Sequence, residues 1–348
     1  MHISNAISIS GRTSGGYVSK LVSAYLKRVT DDGGVVEAKE CVKAAFIELG
    51  AAPVGFVGLL NTYSGAAAAY SLRQLSTTYS GDAIRVRRSS DNTETNIGFV
   101  NNELDTSTLA TFCSGTNGFV TMWYDQSGNG NDATQGTAAS QPQIVSSGSV
   151  ITQGSKPSIR FDGSDDHFDT SQNNPFTFTG GLSVIHASYK NSTGYKSYET
   201  ILSAGTTDDV STNYNKTIAL GYGNSTFVNP LPTITTDIWA PSGIQYNGTI
   251  STNQRHLIGY YISNWSTHRS TGLSNLRFNG SDVSTKSYNS INPTGLNTNP
   301  LAIGVFDELL TNSFFGGDIQ EIIAYASDKN SDRIGIETNI NDFYSIYP

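Results

Sequence analysis

Two hydrophobic patterns divide the chain near residue 65. Apolar residues recur at helical spacing over Val18–Val29 and again over Val36–Leu49, and a glycine follows each stretch. The spacing predicts two short amphipathic helices within a small helical segment, residues 1–65. Because two such helices bury too little surface to be stable alone, we expect this segment to serve attachment or oligomerisation through a partner surface.

From residue 66 onwards the pattern changes to short alternating runs separated by Gly, Asn, Asp and Ser. Such runs predict many strands joined by tight turns. The clearest are Ala83–Arg88, Phe119–Tyr124, Leu182–Ala187, His256–Tyr261 and Asp318–Tyr325. We therefore predict a mainly β fold over residues 66–348, arranged as a two-sheet jelly-roll sandwich.

One further helix is predicted at the end of the chain, over Ser331–Tyr344. Ser331 or Asn330 is a suitable N-terminal cap because its side-chain oxygen can accept a backbone N–H. The residues expected to face inward are Ile334, Ile340, Phe343 and Tyr344.

Composition supports a β-rich chain and excludes several classes of function. The 348 residues include 35 Gly, 18 Tyr and 15 Phe, and the net charge of −8 argues against nucleic-acid binding. No apolar run approaches the length of a membrane span, and the first residues contain no apolar core typical of a secretory signal, so we expect such a signal to be absent or already removed. Cys41 and Cys113 cannot form a disulfide framework, and no Cys/His cluster has zinc spacing.

Oxygen-bearing side chains are concentrated in one glycine-containing loop. Asp125, Asn129 and Asp132 are spaced so that they could hold a calcium ion, although the glutamate that completes an EF-hand is missing. The same side chains commonly stabilise tight turns by bonding to nearby backbone groups. Both interpretations also apply to Asp162–Asp166, and we expect no cofactor other than calcium.

Four ordered segments resemble a known family. They are Tyr70–Leu75, Ala83–Asn92, Phe112–Thr116 and Trp123-Tyr-Asp-Gln-Ser-Gly-Asn-Gly-Asn-Asp-Ala-Thr-Gln135, and they are similar to the start of the catalytic domain of arabinofuranosidase B, glycoside hydrolase family 54. Ile159–Phe168 and Gly317–Tyr325 resemble segments of concanavalin A-like and laminin-G-like sandwiches. The resemblance implies a concanavalin A-like jelly roll, but a fold of this kind does not define an activity.

The resemblance also assigns two catalytic positions. A retaining glycosidase needs two carboxylates about 5 Å apart. Asp307 matches the family's acid/base aspartate, whereas a loose alignment after Gly221–Thr226 places Trp239 at the nucleophile. An indole cannot attack an anomeric carbon, and residues 195–207 contain no counterpart of the family's vicinal cysteine pair. This argues against an enzyme, with Glu199, Asp208 and Asp209 as alternative nucleophiles.

Sugar binding is predicted for Trp239, Tyr222 and Asp307. An aromatic ring can cover the apolar face of a sugar, and a nearby carboxylate can bond its hydroxyls. Tyr260 and Tyr261 are weaker candidates, because their alternation along a strand predicts that one lies in the core and the other at the surface.

Asp32–Ala38, combined with the Tyr-Asp-Gln-Ser-Gly-Asn-Gly-Asn sequence, is similar to virion-associated proteins of bacteriophages. We therefore expect a virion structural protein, such as a head decoration, spike or fibre component, on the virion exterior. It would associate with itself and with other virion proteins through residues 1–65, and its lectin-like sandwich would bind host glycans. The alternatives are an arabinofuranosidase-type hydrolase acting on surface polysaccharide and a bacterial adhesion module.

Overall fold

The computed structural model describes residues 56–173, 180–191, 199–204, 218–224, 232–238, 244–246, 251–263, 274–283, 285–287, 300–305 and 313–348. The chain divides into two units, Met1–Phe56 and Val57–Pro348, and almost all described residues belong to the second. The predicted N-terminal helices and Cys41 lie outside the described residues, so the division at residue 65 stays a prediction. Within the described part, no helix is long and apolar enough to cross a membrane.

The described part is built mostly from strands. Its helices are α1 (Leu59–Thr62), α2 (Thr106–Phe112) and α3 (Arg333–Tyr344), with a 3-10 helix at Ala138–Ser140. The strands are β1 (Ala68–Ser71), β2 (Ile84–Arg88), β3 (Glu94–Ile97), β4 (Phe99–Val100), β5 (Glu103–Leu104), β6 (Gly118–Trp123), β7 (Ala133–Thr134), β8 (Gln143–Ser146), β9 (Ser149–Val150), β10 (Thr152–Gln153), β11 (Lys156–Pro157), β12 (Ile159–Asp162), β13 (Phe168–Asn173), β14 (Leu182–Lys190), β15 (Glu199–Ala204), β16 (Ile218–Asn224), β17 (Pro232–Ile238), β18 (Ile244–Tyr246), β19 (Gln254–Ile262), β20 (Ser274–Phe278), β21 (Ser281–Asp282), β22 (Thr285–Ser287), β23 (Pro300–Ile303) and β24 (Gly316–Tyr325).

Antiparallel pairing arranges most of these strands in two connected layers. In sheet I, β24 pairs on one side with both β1 and β12, and on the other with β14, which is followed by β19, β20 and β21. Sheet II has the order β3-β2-β6-β7-β13-β23-β15-β16-β17-β18-β22. Strand β8 pairs with both β6 and β12 and so joins the two layers. The predicted mainly β sandwich is confirmed.

The main core lies between the two sheets. Side chains alternate along each strand, so one face of each sheet can bury its apolar residues against the other. The buried aromatic rings of Tyr70 and Phe168 flank Trp123 with centroid separations of 5.7 and 6.4 Å. Further members from the two layers are Val184, Ile258, Ile322, Leu202, Leu220 and Ile303.

A second apolar cluster covers the opposite face of sheet I. Helix α3 contributes Ile336, Ile340 and Tyr344 to this cluster, and Leu59 of α1 joins them. Tyr261 belongs to this cluster, whereas Tyr260 belongs to the main core. Both tyrosines are therefore buried, and the prediction that one lies at the surface is wrong because a helix covers the face that was expected to be exposed.

Helix α3 confirms the predicted C-terminal helix but differs in the face that it buries. Its buried apolar residues follow a spacing of four, from Ile336 to Ile340 to Tyr344, whereas Ile334 lies two residues out of phase and is 61% exposed. The inward assignment of Ile334 is therefore wrong. The N-cap is Asp332, whose side chain makes no capping bond, rather than Ser331 or Asn330.

Candidate functional site

The loop after β6, which carries the family resemblance, supports strand β1. The Asp125 carboxylate accepts hydrogen bonds from the backbone N–H groups of Ala69, Ser127 and Asn131 at 2.8–3.0 Å. The side chain of Gln126 accepts from the Leu75 N–H at 2.8 Å and donates to two carbonyl groups, those of Ser71 and Arg73. The polar side chains of this segment therefore bond to backbone groups of β1 and of the residues that follow it, up to Leu75. This structural role is consistent with the presence of the segment in the resembling family.

Each of the three calcium candidates in this loop makes a side-chain hydrogen bond to the backbone. Asp125 is 5% exposed, and the Asp132 carboxylate accepts a hydrogen bond from the backbone N–H of Asp125 at 2.9 Å. The side-chain amide of Asn129 donates to the carbonyl of Ala66 at 2.9 Å. The interpretation as a hydrogen-bonded turn accounts for these contacts, and a calcium ion at Asp125, Asn129 and Asp132 stays a prediction.

The carboxylates of Asp162, Asp165 and Asp166 approach one another within 4.8 Å. Burial of Asp166, followed by the negative charge of Asp162, raises the pKa of the Asp166 carboxyl to about 7. Backbone N–H groups of this turn bond to its own carboxylates: Asp162 donates to Asp166 at 2.8 Å and Ser164 donates to Asp162 at 2.6 Å. These bonds are those of a tight turn between β12 and β13, but β12 pairs with β24 and β13 pairs with β23, so the two strands do not form the expected hairpin.

A buried ion pair connects the two sheets at one end of the sandwich. Lys190 ends β14 in sheet I and Glu199 begins β15 in sheet II. The Lys190 Nζ lies 3.1 Å from the Glu199 Oε1, and the two side chains are 0% and 1% exposed. Since an isolated charge is very costly to bury, each of these groups depends on the other. A nucleophile must reach its substrate, and this burial does not fit Glu199 as the nucleophile.

A chain of hydrogen bonds continues from this end into the core. The Ser188 Oγ lies 3.1 Å from the His186 Nδ1 and 2.9 Å from the Tyr222 hydroxyl, which lies 3.1 Å from the His256 Nδ1. Burial lowers the pKa of His186 to about 3 and that of His256 to about 4, and the neighbouring His256 contributes to the shift of His186. Both imidazoles are therefore neutral at pH 7.

The described residues on either side of the segment that carries Asp307 are bonded to β15 and to each other. Gly304 donates its N–H to the Ile201 carbonyl at 3.1 Å and accepts from the Phe315 N–H at 2.8 Å. The Thr200 N–H donates to the Ser313 carbonyl at 3.3 Å. Gly304 and Ser313 are thus both held beside β15.

Of the predicted sugar-binding residues, Tyr222 is the one whose side chain the structure describes. Its ring is fully buried and stacks on Phe315 at 5.8 Å, so this placement does not fit an exposed sugar platform. Asp307 and Trp239 lie outside the described residues. Trp239 follows Ile238, which pairs with Ile218 at the end of β16 away from Tyr222. The sugar-binding roles of Trp239 and Asp307 stay predictions.

Sequence reasoning missed both the ion pair and the two histidines. The sequence pattern predicted a strand at Leu182–Ala187, which stops short of Lys190, and a lysine is ordinarily exposed. His186 and His256 occupy alternate inward positions of β14 and β19, where the apolar neighbours could have indicated burial. Their contact with Tyr222 needs the pairing of distant strands and left no local signal.

Comparison with known families supports the resemblance found in the sequence. The family model of the catalytic domain of alpha-L-arabinofuranosidase B matches residues 61–225. An alpha-L-arabinofuranosidase B of Emericella nidulans is 42% identical over 71 residues, which are 20% of this chain and 14% of that protein.

Solved structures show the same fold over a longer part of the chain. A crystal structure of an arabinofuranosidase complexed with arabinofuranosyl-alpha-1,2-xylobiose has a TM-score of 0.57 at 18% identity, and covers 79% of this chain and 62% of its own. An α-L-arabinofuranosidase of glycoside hydrolase family 54, soaked with a cyclic sulfate inhibitor, has a TM-score of 0.56 at 19% identity with the same coverage. This chain thus spans less than two thirds of each of these relatives.

These matches confirm the resemblance to the arabinofuranosidase B catalytic domain and correct the functional expectation. A bacteriophage decoration, spike or fibre protein on the virion exterior is wrong, because the family model and the relatives reported above are those of a glycoside hydrolase. Self-association through residues 1–65 stays a prediction.

Proposed function

We propose that this chain is a glycoside hydrolase of the arabinofuranosidase type, which releases terminal α-L-arabinofuranosyl groups from a polysaccharide. The observation that carries the proposal is the match of a catalytic-domain model to residues 61–225. The fold likeness to an arabinofuranosidase covers 79% of the chain and so extends beyond the residues that the model matches. Asp307 is the general acid in this proposal, since it matches the position of the family's acid/base aspartate.

The reaction requires a second carboxylate. In a retaining mechanism, Asp307 gives its proton to the glycosidic oxygen while a carboxylate attacks the anomeric carbon and the bond to the leaving alcohol breaks. Asp307, now ionised, then takes a proton from the water that hydrolyses the glycosyl ester. Glu199 is engaged by Lys190 inside the sandwich, so Asp208 and Asp209 are the preferred nucleophile candidates.

The test is the release of 4-nitrophenol from 4-nitrophenyl α-L-arabinofuranoside by the full chain. We expect Asp307→Asn to lower kcat by roughly 10²- to 10⁴-fold, since it removes the proton donor and acceptor. Asp208→Gly and Asp209→Gly identify the nucleophile: loss of activity in one of them, with azide restoring release of 4-nitrophenol and giving the glycosyl azide of inverted configuration, marks the attacking carboxylate. A wild-type chain that releases no 4-nitrophenol contradicts the proposal, and so does an Asp307→Asn variant with unchanged kcat.

A further inference from the structure

Three Asn-Gly sequences lie in the described part of the chain, at Asn117, Asn129 and Asn279, and a fourth, at Asn247, lies outside it. In such a sequence the backbone nitrogen of the glycine can attack the side-chain Cγ of the asparagine, because glycine has no Cβ to hinder the approach. Asparagine is one of the residues that proteins lose through chemical change of this kind. The surroundings of each pair therefore decide which of them reacts in the folded protein.

Asn117 and Asn279 both have a side chain that is fixed by a backbone group. The Asn117 Oδ1 accepts a hydrogen bond from the Ser147 N–H at 2.8 Å, and the Asn279 Oδ1 accepts one from the Leu257 N–H at 2.9 Å. The glycines that follow them are also crowded, since a Cβ added to either would lie 2.7 Å from a neighbouring side-chain atom. Both pairs are therefore poorly placed to form a ring between the side chain and the glycine nitrogen.

The pair Asn129–Gly130 is open in comparison. Asn129 is exposed, and a Cβ added to Gly130 would have no described heavy atom within 4 Å. The Gly130 N–H donates to no residue in the described ranges, so no hydrogen bond to them holds its nitrogen back. Water and base can therefore reach both reacting groups of this pair.

The amide nitrogen of Asn129 also holds the chain in front of β1. It donates to the Ala66 carbonyl at 2.9 Å, to the Ala67 carbonyl at 3.1 Å and to the Ser127 Oγ at 3.1 Å. A carboxylate in its place has no hydrogen to donate and would face two carbonyl oxygens that repel it. The Ala67 carbonyl keeps a second donor, the Asn131 Nδ2 at 2.8 Å, so the effect should be greatest at Ala66.

We propose that Asn129 is a site of spontaneous deamidation, and that the change destabilises the fold at the start of β1. The Gly130 nitrogen gives its proton to hydroxide and bonds to the Asn129 Cγ. The Cγ–Nδ2 bond breaks, and the amide nitrogen leaves as ammonia with a proton taken from water. One water molecule then opens the succinimide ring to aspartate or isoaspartate. In sum, the side-chain amide and one water become a carboxylate and ammonium.

The first experiment incubates the purified full chain in mildly alkaline buffer, folded or unfolded in guanidinium chloride. Mass spectrometry of the Asn-Gly peptides follows the gain in mass as the amide becomes an acid. In the folded protein we expect deamidation at Asn129 to be several-fold faster than at Asn117 and at Asn279. In the denaturant the three rates should become similar, because the surroundings that separate them are lost.

The control variant is Asn129→Gln, which keeps an amide but has a side chain too long to form the five-membered ring. It should show no comparable gain in mass at this position. Equal rates at the three positions of the folded protein would refute the proposal. A preference for Asn129 that persists in guanidinium chloride would refute it as well, because the fold would then not be its cause.

A second experiment tests the structural consequence with Asn129→Asp, which places a product of the reaction at this position. We expect its melting temperature to fall by about 2–5 °C, because a buried carbonyl loses its donor. The matched control is Asn117→Asp, which keeps the oxygen that accepts from Ser147 and should melt as the wild type does. If Asn129→Asp also melts as the wild type does, the modification does not destabilise the fold and that part of the proposal is overturned.

Discussion

His186 and His256 link the stability of the protein to pH. Their pKa values are lowered to about 3 and about 4, mainly by burial, whereas an unfolded histidine titrates near 6.5. Below pH 6.5 the unfolded chain therefore binds protons that the folded chain does not, and stability falls as the pH is lowered towards the folded values. Lowering the pH from 7.5 to 5 should decrease the free energy of unfolding by about 2 kcal/mol for each histidine.

The measurement is the free energy of unfolding in urea at pH 7.5 and at pH 5. The variant His256→Gln keeps a polar group near the Tyr222 hydroxyl but does not titrate. About half of the decrease in unfolding free energy that His186 and His256 together cause at pH 5 should therefore disappear. If the free energy of unfolding of His256→Gln changes between pH 7.5 and pH 5 by as much as that of the wild type, this histidine is not the source of the pH dependence.

At the scale of the element, helix α3 stabilises sheet I by covering its outer face. Ile340 is fully buried in the second apolar cluster, whereas Ile334 on the same helix is 61% exposed. Ile340→Ala should lower the free energy of unfolding by about 2–5 kcal/mol, because it leaves a cavity in a packed cluster. Ile334→Ala is the matched control and should change it by less than about 0.5 kcal/mol. Thermal or urea unfolding of the two variants checks this, and similar losses would contradict the assigned helix face.

The helix also shows what a hydrophobic pattern can and cannot determine. The position of the helix was predictable, because apolar residues such as Ile340 and Tyr344 recur at helical spacing near the end of the chain. The face that the helix buries was not predictable, because Ile334 and Ile336 are both isoleucines and either could be the inward residue. Polar contacts decide the phase: the Glu337 carboxylate accepts hydrogen bonds from Tyr261 at 2.9 Å and from Arg277 at 2.8 Å. A buried glutamate on the inward face is invisible to a search for apolar residues.

Within the unit Val57–Pro348, the last described strand completes the sheet that contains the first described strand. Strand β24 pairs with β1, β12 and β14, and all ten of its residues are buried. The Arg73 Nε, just after β1, donates to the Glu321 Oε2 at 2.7 Å, and the Tyr344 hydroxyl contacts the same oxygen at 3.2 Å. Residues from the two ends of the unit therefore meet in one buried network.

This closure predicts that the unit cannot fold without its C-terminal part. A chain ending at Phe315 lacks β24 and α3, so three strands of sheet I lose a partner and both apolar clusters are exposed. We expect it to show no cooperative urea transition by far-ultraviolet circular dichroism. Removal of Pro348 alone, an exposed residue, is the control and should leave the transition intact. A cooperative transition in the shorter chain would contradict the prediction.

The same long-range pairing explains which parts of the candidate site could be predicted. Asp307 could be selected from its sequence match, and the mainly β fold from alternation and turn residues. Tyr222 was selected for its aromatic ring, but its burial depends on Phe315 and His256, which are remote from it in sequence. The Lys190–Glu199 pair likewise forms only when two sheets meet, so no local pattern of the chain contains it.

The chain from His186 through Ser188 and Tyr222 to His256 also constrains where protons reside. Its three contacts need three hydrogens, and the two hydroxyl groups can supply at most two. At least one imidazole must therefore carry its hydrogen on Nδ1. If both hydroxyls donate within this series of hydrogen bonds, one neutral ring carries its hydrogen on Nδ1 and the other on Nε2. Nitrogen-15 NMR of the two rings would then show in which direction the hydrogen bonds between the sheets run.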